Sequence, residues 1–430
     1  MRRRLSVFLA GCVLILSSGV RAENLTVFCS SNGAEMALCA SETQAWALMT
    51  GNTVTLVPLP SDWGAILPLY RQLLSAPSPM ADVLVMDGTW LGTLAPRLGI
   101  IPRTAGDGDL TPGPFVSSGH DVALPWYRDI GLLFYRRDLL EKYGLPVPQS
   151  WDELENEANA IQKAERVRGD SALWGYVWQG RTAESLICNV LEWFGPEGGT
   201  IVSGDGQINL DNGVARAAMK RAAGWIGTIS PSGVLSDDEE AARGAFQSGH
   251  AVFMRNWVYA WSLVNDPQSM IAGKVGVAAL PRGKASDPPR GVDGTVYLGM
   301  ARNTPHPEEA LSLMRYLTSP EVERERVVRG AYIPARRALL NNPAVLTALP
   351  VLSTIRTALA RPVLRPVAQT GMDYPRVAWL AANSFHQTLN GQRDTAGSLR
   401  RLSEIFEVMA RRGHWSESWA VKKALEEKTQ

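Results

Sequence analysis

The sequence predicts an α/β protein made of two lobes, and three observations support this prediction. Strand-like and helix-like segments alternate along the chain, which is typical of parallel sheets covered by helices. At 430 residues, the chain exceeds the roughly 250–300 residues at which a single hydrophobic core stops growing. No flexible linker or change of composition divides it into two sequential domains. A chain that passes back and forth between two lobes would combine these features.

The first third of the chain shows the alternation most clearly. Three apolar segments rich in β-branched residues are separated by two stretches with helical character, which indicates a βαβαβ unit with a mostly parallel sheet. The predicted strands are 25–29, 54–58 and 82–86, and the predicted helices end at about 49 and span about 64–74.

The rest of the chain continues the mixture of helices and strands. Ser150 and Glu153 have the spacing of a capping box, which begins a helix that we expect to run to about Val167. The other predicted elements are strands at 251–254 and 275–278 and helices at 306–318, 376–390 and 395–412.

The N-terminus has the pattern of a secretory signal peptide. Three arginines precede an apolar run at 5–16, which is shorter than the roughly 20 residues a spanning helix needs, and small residues follow up to Ala22. We therefore expect residues 1–22 to be removed and the protein to reach the periplasm. The alternative is a lipobox ending at Cys12, which would leave a lipid-anchored chain.

Charge and motifs exclude several function classes. The formal net charge is +1, and four arginines lie within residues 1–22, so the remaining chain is slightly acidic and no nucleic-acid partner is expected. The five histidines are scattered, and the chain has no HExxH, GxSxG or phosphate-loop motif. We expect no metal and no cofactor.

The cysteines predict one disulfide. Cys29, Cys39 and Cys188 follow Ala22, and their spacing matches no zinc pattern. Cys29 and Cys39 belong to one predicted strand–helix unit in an oxidising compartment, where disulfides form. We expect a Cys29–Cys39 bond and a free thiol at Cys188.

Several longer segments occur together in a family-like order and spacing. They are 122–140, 174–180 with Glu184, Cys188 and 192–193 downstream, 245–261, 307–311 and 317–320. In combination they resemble the family 1 extracellular solute-binding proteins, within which they are most similar to the trehalose/maltose-binding branch.

The resemblance implies an architecture and a function. The fold would be a two-lobed periplasmic binding protein fold of type II-like form, with hinge-connected lobes and a ligand cleft between them. Lobe I would comprise 23–128 plus about 287–338, and lobe II 129–286 plus about 339–430. A monomer would capture a small carbohydrate, such as an α-glucoside disaccharide, and deliver it to the transmembrane permease subunits of an ABC importer, which work with a cytoplasmic ATPase.

Sugars need aromatic side chains against their C–H faces and planar polar groups around their hydroxyls. Trp257 and Tyr259 follow a predicted strand, where ligands bind in α/β sheets, although both could instead be core aromatics. Asp87 and Asp129 could accept hydroxyl hydrogen bonds, the alternatives being a helix N-cap and a solvated turn. With the positions that the resemblance adds, the expected ligand-binding residues are Glu35, Asp87, Tyr127, Asp129, Trp257, Tyr259, Gly294 and Arg361.

Three positions depart from the family pattern and leave the ligand open. Ile66 stands where relatives place a sugar-binding arginine, Val296 where they have tryptophan, and Ala183 where they have tyrosine. A polyol, an osmolyte or a glycoside with an anionic head is therefore an alternative ligand. An alternative of another class is a secreted carbohydrate-active enzyme that uses two of Glu35, Asp87 and Asp129 as acid and base.

Overall fold

The computed structural model describes residues 22–30, 33–60, 63–111, 116–117, 120–284, 287–413 and 415. The predicted signal peptide, including Cys12 but not Ala22, lies outside these residues. Within the described ranges, no helix combines the length and the apolar character needed to cross a bilayer.

The strands and helices follow one another in mixed order. The strands are β1 (Asn24–Cys29), β2 (Thr53–Pro58), β3 (Val83–Asp87), β4 (Ile101–Pro102), β5 (Val116–Ser117), β6 (His120–Asp121), β7 (Leu124–Tyr127), β8 (Leu132–Arg136), β9 (Trp174–Val177), β10 (Ala251–Asn256), β11 (Val275–Ala279) and β12 (Val296–Met300). The α-helices are α1 (Gly33–Thr50), α2 (Ile66–Leu73), α3 (Leu91–Leu94), α4 (Arg137–Tyr143), α5 (Trp151–Val167), α6 (Glu184–Phe194), α7 (Gly213–Trp225), α8 (Glu239–Gln247), α9 (Ala260–Val264), α10 (Pro307–Leu317), α11 (Pro320–Gly330), α12 (Pro343–Ala348), α13 (Val351–Ala360), α14 (Val367–Thr370), α15 (Tyr374–Leu389) and α16 (Thr395–Gly413).

The first lobe is built on a five-stranded sheet in the order β2-β1-β3-β12-β7. β1 pairs in parallel with β2 and β3, as the βαβαβ pattern predicts. β12 pairs antiparallel with both β3 and β7, so the sheet is mixed rather than mostly parallel. All five residues of β3 are buried, which explains its continuous apolar sequence.

The second lobe is built on a four-stranded sheet in the order β11-β8-β10-β9. β10 pairs in parallel with β9 and antiparallel with β8. α5 covers this sheet, and its predicted start is confirmed because Ser150 Oγ accepts the N–H of Glu153 at 3.2 Å while the Glu153 carboxylate accepts the N–H of Ser150 at 3.2 Å. A tryptophan cluster fills the core beneath it: Trp151, Trp178, Trp193 and Trp225.

The chain crosses between the lobes at adjacent places. β7 in the first sheet leads directly into β8 in the second, and β11 leads back into β12. The crossing segments are hydrogen-bonded to each other: the N–H of Gly131 donates to Val292 O at 3.2 Å, and that of Gly294 to Asp129 O at 2.9 Å. A third segment joins them where the N–H of Arg128 donates to Ile333 O at 2.8 Å. These three backbone segments connect the two lobes, and the lobes can hinge about them.

A disulfide ties the first strand to the first helix. Cys29 and Cys39 are bonded in the structure, with their Cα atoms 6.7 Å apart. Cys188 is a buried thiol on α6. The bond closes the segment that leads from β1 into α1. Glu35 lies within this segment, in the first turn of α1.

Candidate ligand-binding site

Three of the expected ligand-binding residues lie at or just after the ends of strands from both sheets. Asp87 is the last residue of β3, Tyr127 is the last residue of β7, and Trp257 directly follows β10. Strand ends of this kind are where open α/β sheets hold ligands. The two sheets therefore present their polar and aromatic candidates toward one region between the lobes.

Glu35 and Tyr127 form a buried polar pair in the first lobe. The Tyr127 hydroxyl donates to Glu35 Oε1 at 2.7 Å, and the ring of Tyr332 lies 4.7 Å from that of Tyr127, centroid to centroid. Burial raises the pKa of the Glu35 carboxyl, and hydrogen bonds from Ser30 and Tyr127 offset part of that rise. Glu35 is thus a deeply placed acceptor, not a solvated first-turn helix charge.

Asp129 lies in the first crossing and is also buried. Its Oδ1 accepts the backbone N–H groups of Ile130 at 2.8 Å and Val258 at 3.0 Å, so it links the crossing to the turn after β10. Burial raises its pKa to about 7, against the lowering effect of those two hydrogen bonds. The side chain is 8% exposed, which does not fit the alternative of a solvated turn.

Trp257 is half-buried and held from several directions. The Arg255 guanidinium lies 3.9 Å from its ring centroid, and the indole N–H donates to Glu239 Oε1 at 3.4 Å. The ring also packs against Gly294 in the second crossing, where a Cβ would lie 2.7 Å from Trp257 Cζ3. Only glycine allows this approach, so Gly294 supports the ring instead of offering a side chain.

Tyr259 connects the two lobes. Its hydroxyl donates to Glu240 Oε1 at 2.7 Å on α8, and its ring packs against the core cluster of the first lobe. The fixed hydroxyl and the ring position place this residue at the boundary between the lobes.

Asp87 combines the two roles considered from the sequence. Its Oδ1 accepts the N–H of Thr89 at 2.7 Å, which is the N-cap role. The same carboxylate pairs with Arg365, whose Nη2 lies 3.1 Å from Asp87 Oδ1. Asp87 therefore joins a helix cap and an ion pair at the strand end, and both of its carboxylate oxygens have partners.

The arginine beside Asp87 is Arg365, which sequence reasoning missed. Arg361, the expected arginine, is exposed at the C-cap of α13, and its guanidinium makes no hydrogen bond to the described residues. Arg365 also reaches Glu184 Oε1 at 3.2 Å and Asp293 O at 2.9 Å. The sequence repeats Arg-Pro at 361–362 and 365–366, and that repeat was the available signal.

The three departing positions offer no polar side chain. Ile66 is fully buried in the core of the first lobe, and Val296 is 5% exposed in β12. Ala183 is the N-cap of α6 and makes no side-chain cap hydrogen bond. Trp63, near Ile66, packs against Trp90 with ring centroids 5.0 Å apart. Within the described ranges, no group of His, Cys, Asp and Glu has the arrangement of a metal site.

Comparison with known proteins identifies the family. The bacterial extracellular solute-binding protein family matches residues 43–324. A probable ABC transporter-binding protein of Deinococcus radiodurans is 35% identical over 407 residues, which cover 92% of this chain and 96% of that protein.

Solved structures agree with this match. The maltose-bound MalE3 of T. maritima superposes with a TM-score of 0.83 at 31% identity, covering 90% of this chain and 100% of that chain. A solute-binding protein of Thermotoga lettingae, solved with α-D-tagatose, has a TM-score of 0.79 at 21% identity over 90% of this chain and 100% of that chain, a likeness of fold alone. The two-lobed fold expected from the sequence is confirmed. The chain therefore belongs to the bacterial extracellular solute-binding proteins, a family of binding proteins and not of enzymes.

Proposed function

We propose that this chain is the periplasmic substrate-binding component of an ABC importer for a small carbohydrate, in the first place a disaccharide such as an α-glucoside. The observation that carries the proposal is the grouping of a fixed indole, Trp257, with the buried carboxyls of Glu35, Asp87 and Asp129. Buried carboxylates are costly unless they are hydrogen-bonded, and a ligand rich in hydroxyl donors supplies such bonds. The indole offers a flat apolar face for the C–H side of a sugar ring.

The proposed contacts are divided between the lobes. Glu35, Asp87 and Tyr127 lie on the first lobe, Trp257 and Tyr259 follow β10 of the second, and Asp129 and Gly294 lie in the crossings. We propose that these residues and Arg361 bind the ligand, and that lobe I comprises 23–128 plus about 287–338 and lobe II 129–286 plus about 339–430. The site is complete only when the lobes approach, so ligand binding favours the closed arrangement.

Relatives support a carbohydrate ligand. The similar MalE3 is maltose-bound, and proteins of the same fold were solved with α-D-tagatose, ribitol and D-mannitol. The expected signal peptide would bring the protein to the periplasm, where it would act as a monomer and hand its ligand to the membrane permease. The departures at Ile66 and Val296 favour testing several sugars and polyols together.

A thermal-shift screen tests this proposal. Maltose, trehalose, tagatose, mannitol and ribitol are added at millimolar concentration, and calorimetry then measures the stoichiometry of each ligand that raises the melting temperature. A ligand at one hundred times its dissociation constant stabilises the folded state by about 2.7 kcal/mol, so micromolar ligands are detected. We expect one disaccharide to bind at one per chain and to be recovered intact. Turnover of the sugar, or no shift with any of the five, would contradict the proposal.

A further inference from the structure

Arg365 occupies a position between the two lobes. Its side chain is 6% exposed and contacts Asp87 Oδ1 at 3.1 Å and Glu184 Oε1 at 3.2 Å. Asp87 ends β3 of the first sheet, whereas Glu184 begins α6, which packs in the core of the second lobe. Its third contact, with Asp293 O at 2.9 Å, lies in the second crossing. One guanidinium thus contacts both lobes and the hinge.

We propose that Arg365 forms an ion bridge that raises the fraction of ligand-free molecules in the closed arrangement, and that it positions Asp87 for the ligand. Arginine suits this place because its planar fork presents several N–H donors in fixed directions, while lysine offers a single point charge. Both Nη atoms reach Asp87, while Nη1 also reaches Glu184 and Nη2 also reaches Asp293 O, so one rigid group contacts three separate parts of the chain. The proposal rests on hinged closure but not on the identity of the sugar.

Charge explains why separation of the lobes would be resisted. Two carboxylates share one cation in a buried setting, and the Tyr374 hydroxyl adds a hydrogen bond to Glu184. A buried charge that loses its partner is strongly destabilising, because the attraction that offset its loss of hydration is gone. Moving Asp87 away from Glu184 would leave at least one carboxylate without Arg365.

A second contact independently ties the Arg365 segment to the first lobe. A Cβ on Gly92 of α3 would lie 2.7 Å from Gly371 O, so these two backbones touch. Gly371 has a φ of 53°, a conformation that favours glycine and allows the turn between α14 and α15. The segment is therefore anchored to the first lobe at Gly92 and to the second at Tyr374, one on each side of the cleft.

The bridge has a consequence for affinity. For a ligand that binds only the closed state, the apparent Kd is the intrinsic Kd divided by the fraction of molecules that are closed. If Arg365 raises the closed population of the ligand-free protein, its loss should weaken binding without removing any contact to the ligand's aromatic platform, Trp257.

Distances between two spin labels, measured by pulsed electron paramagnetic resonance, test the bridge in the absence of ligand. Spin labels are placed at Leu48→Cys on α1 and Val167→Cys on α5, both highly exposed and on different lobes, with Cys188→Ala to remove the free thiol. We compare Arg365→Gln with the unchanged protein and with Arg376→Gln, which removes the same charge from an exposed position on α15. The ligand-free Arg365→Gln protein should show a longer and broader distance distribution, and Arg376→Gln should match the unchanged protein. Identical distributions for Arg365→Gln and the unchanged protein would overturn the proposal.

Two further variants separate bridging from a purely structural role. Arg365→Lys keeps the positive charge and should therefore restore part of the short distance that Arg365→Gln loses. The double variant Arg365→Gln with Glu184→Gln removes one acid together with the cation, so the test can still be made if the single variant does not fold. With maltose as the probe, Arg365→Gln should raise the apparent Kd about tenfold, while saturating maltose restores the short distance. A lower melting temperature with unchanged distances and affinity would mean that Arg365 only stabilises the fold. A failure of maltose to bind would count against the proposed function and leave the ligand-free distances to decide the bridge.

Discussion

Trp257 is the residue on which the proposed site depends most. Its ring is held by Arg255, Glu239 and Gly294 and is only half-buried, so one part of it is open to a ligand. Aromatic residues that bury a ligand face are typical hot spots. We expect Trp257→Ala to weaken sugar binding by about 2–4 kcal/mol, roughly 30- to 1000-fold, measured by calorimetry.

A second tryptophan provides the control for that experiment. Trp174 begins β9, stacks with Arg166 at 4.4 Å and lies at the opposite end of the strand from the proposed site. Trp174→Ala should leave sugar affinity unchanged. If Trp257→Ala instead lowers the free energy of unfolding by about 3–5 kcal/mol while affinity stays normal, Trp257 is a core residue and the site is placed wrongly.

Asp129 predicts a pH dependence of stability. Its folded-state pKa is raised to about 7, above its unfolded value of about 4, so the folded protein retains a proton that the unfolded chain releases between these pH values. Its contribution is fully present below pH 4 and is lost as the pH rises through 7. Asp129→Asn keeps an oxygen to accept the N–H groups of Ile130 and Val258 but cannot titrate.

Urea unfolding of both proteins between pH 4 and 8 measures that effect. We expect the variant to gain stability relative to the unchanged protein as the pH rises, by up to about 4 kcal/mol. A difference that stays constant over this range would show that Asp129 does not titrate there.

Single residues were predicted unevenly from the sequence. Asp87 could be located because it follows the predicted strand 82–86, whose apolar pattern is local, whereas Tyr127 was implied by the resemblance. Arg365 could not, because its partners Asp87 and Glu184 are distant in sequence and only the packing of two lobes brings them together. The resemblance pointed instead to Arg361, four residues earlier.

At the scale of elements, the β1–α1 unit links stability to the site. The Cys29–Cys39 bond closes a short loop, and Glu35 lies inside that loop. In the chain-entropy account, closing a loop of this size stabilises the folded state by about 2–3 kcal/mol. We expect Cys29→Ala with Cys39→Ala, which adds no buried hydroxyl, to lower the free energy of unfolding by about that amount and also to weaken sugar binding, because Glu35 becomes less fixed.

Peptide mapping and binding together test this element. Non-reducing mass spectrometry should yield a Cys29–Cys39 peptide, and Cys188→Ala, which buries no polar group, should leave sugar binding close to normal, since that thiol is not bonded. A peptide that joins Cys188 to either of the other two cysteines would refute the assignment.

The elements predicted from the sequence agree with the structure, as does the parallel pairing of β1 with β2 and β3, but the pairing of β12 could not be predicted. The predicted strand 54–58 is β2, the predicted helix 395–412 is α16, and the capping box begins α5, each within about two residues. The mixed first sheet was not predicted, because β12 enters it antiparallel after the chain has returned from the other lobe. Strand direction in such a sheet depends on long-range order, which local patterns do not record.

At the scale of the molecule, two lobes are joined by three adjacent crossings, and the side chains of Tyr259 and Arg365 contact both lobes. The hydrogen bonds between the crossings keep the hinge in register, while the bridging side chains lie where the lobes meet. This arrangement allows each lobe to move as a rigid body while the hydrogen bonds between the crossing segments stay in place.

The most direct test of ligand capture by lobe closure is small-angle X-ray scattering with and without the sugar that binds most tightly in the thermal-shift screen. We expect the radius of gyration to fall when the sugar saturates the protein, because contacts from both lobes favour the closed arrangement. The fall should be larger for Arg365→Gln, which begins more open. A radius that is the same with and without saturating sugar, for both proteins, would contradict capture by closure.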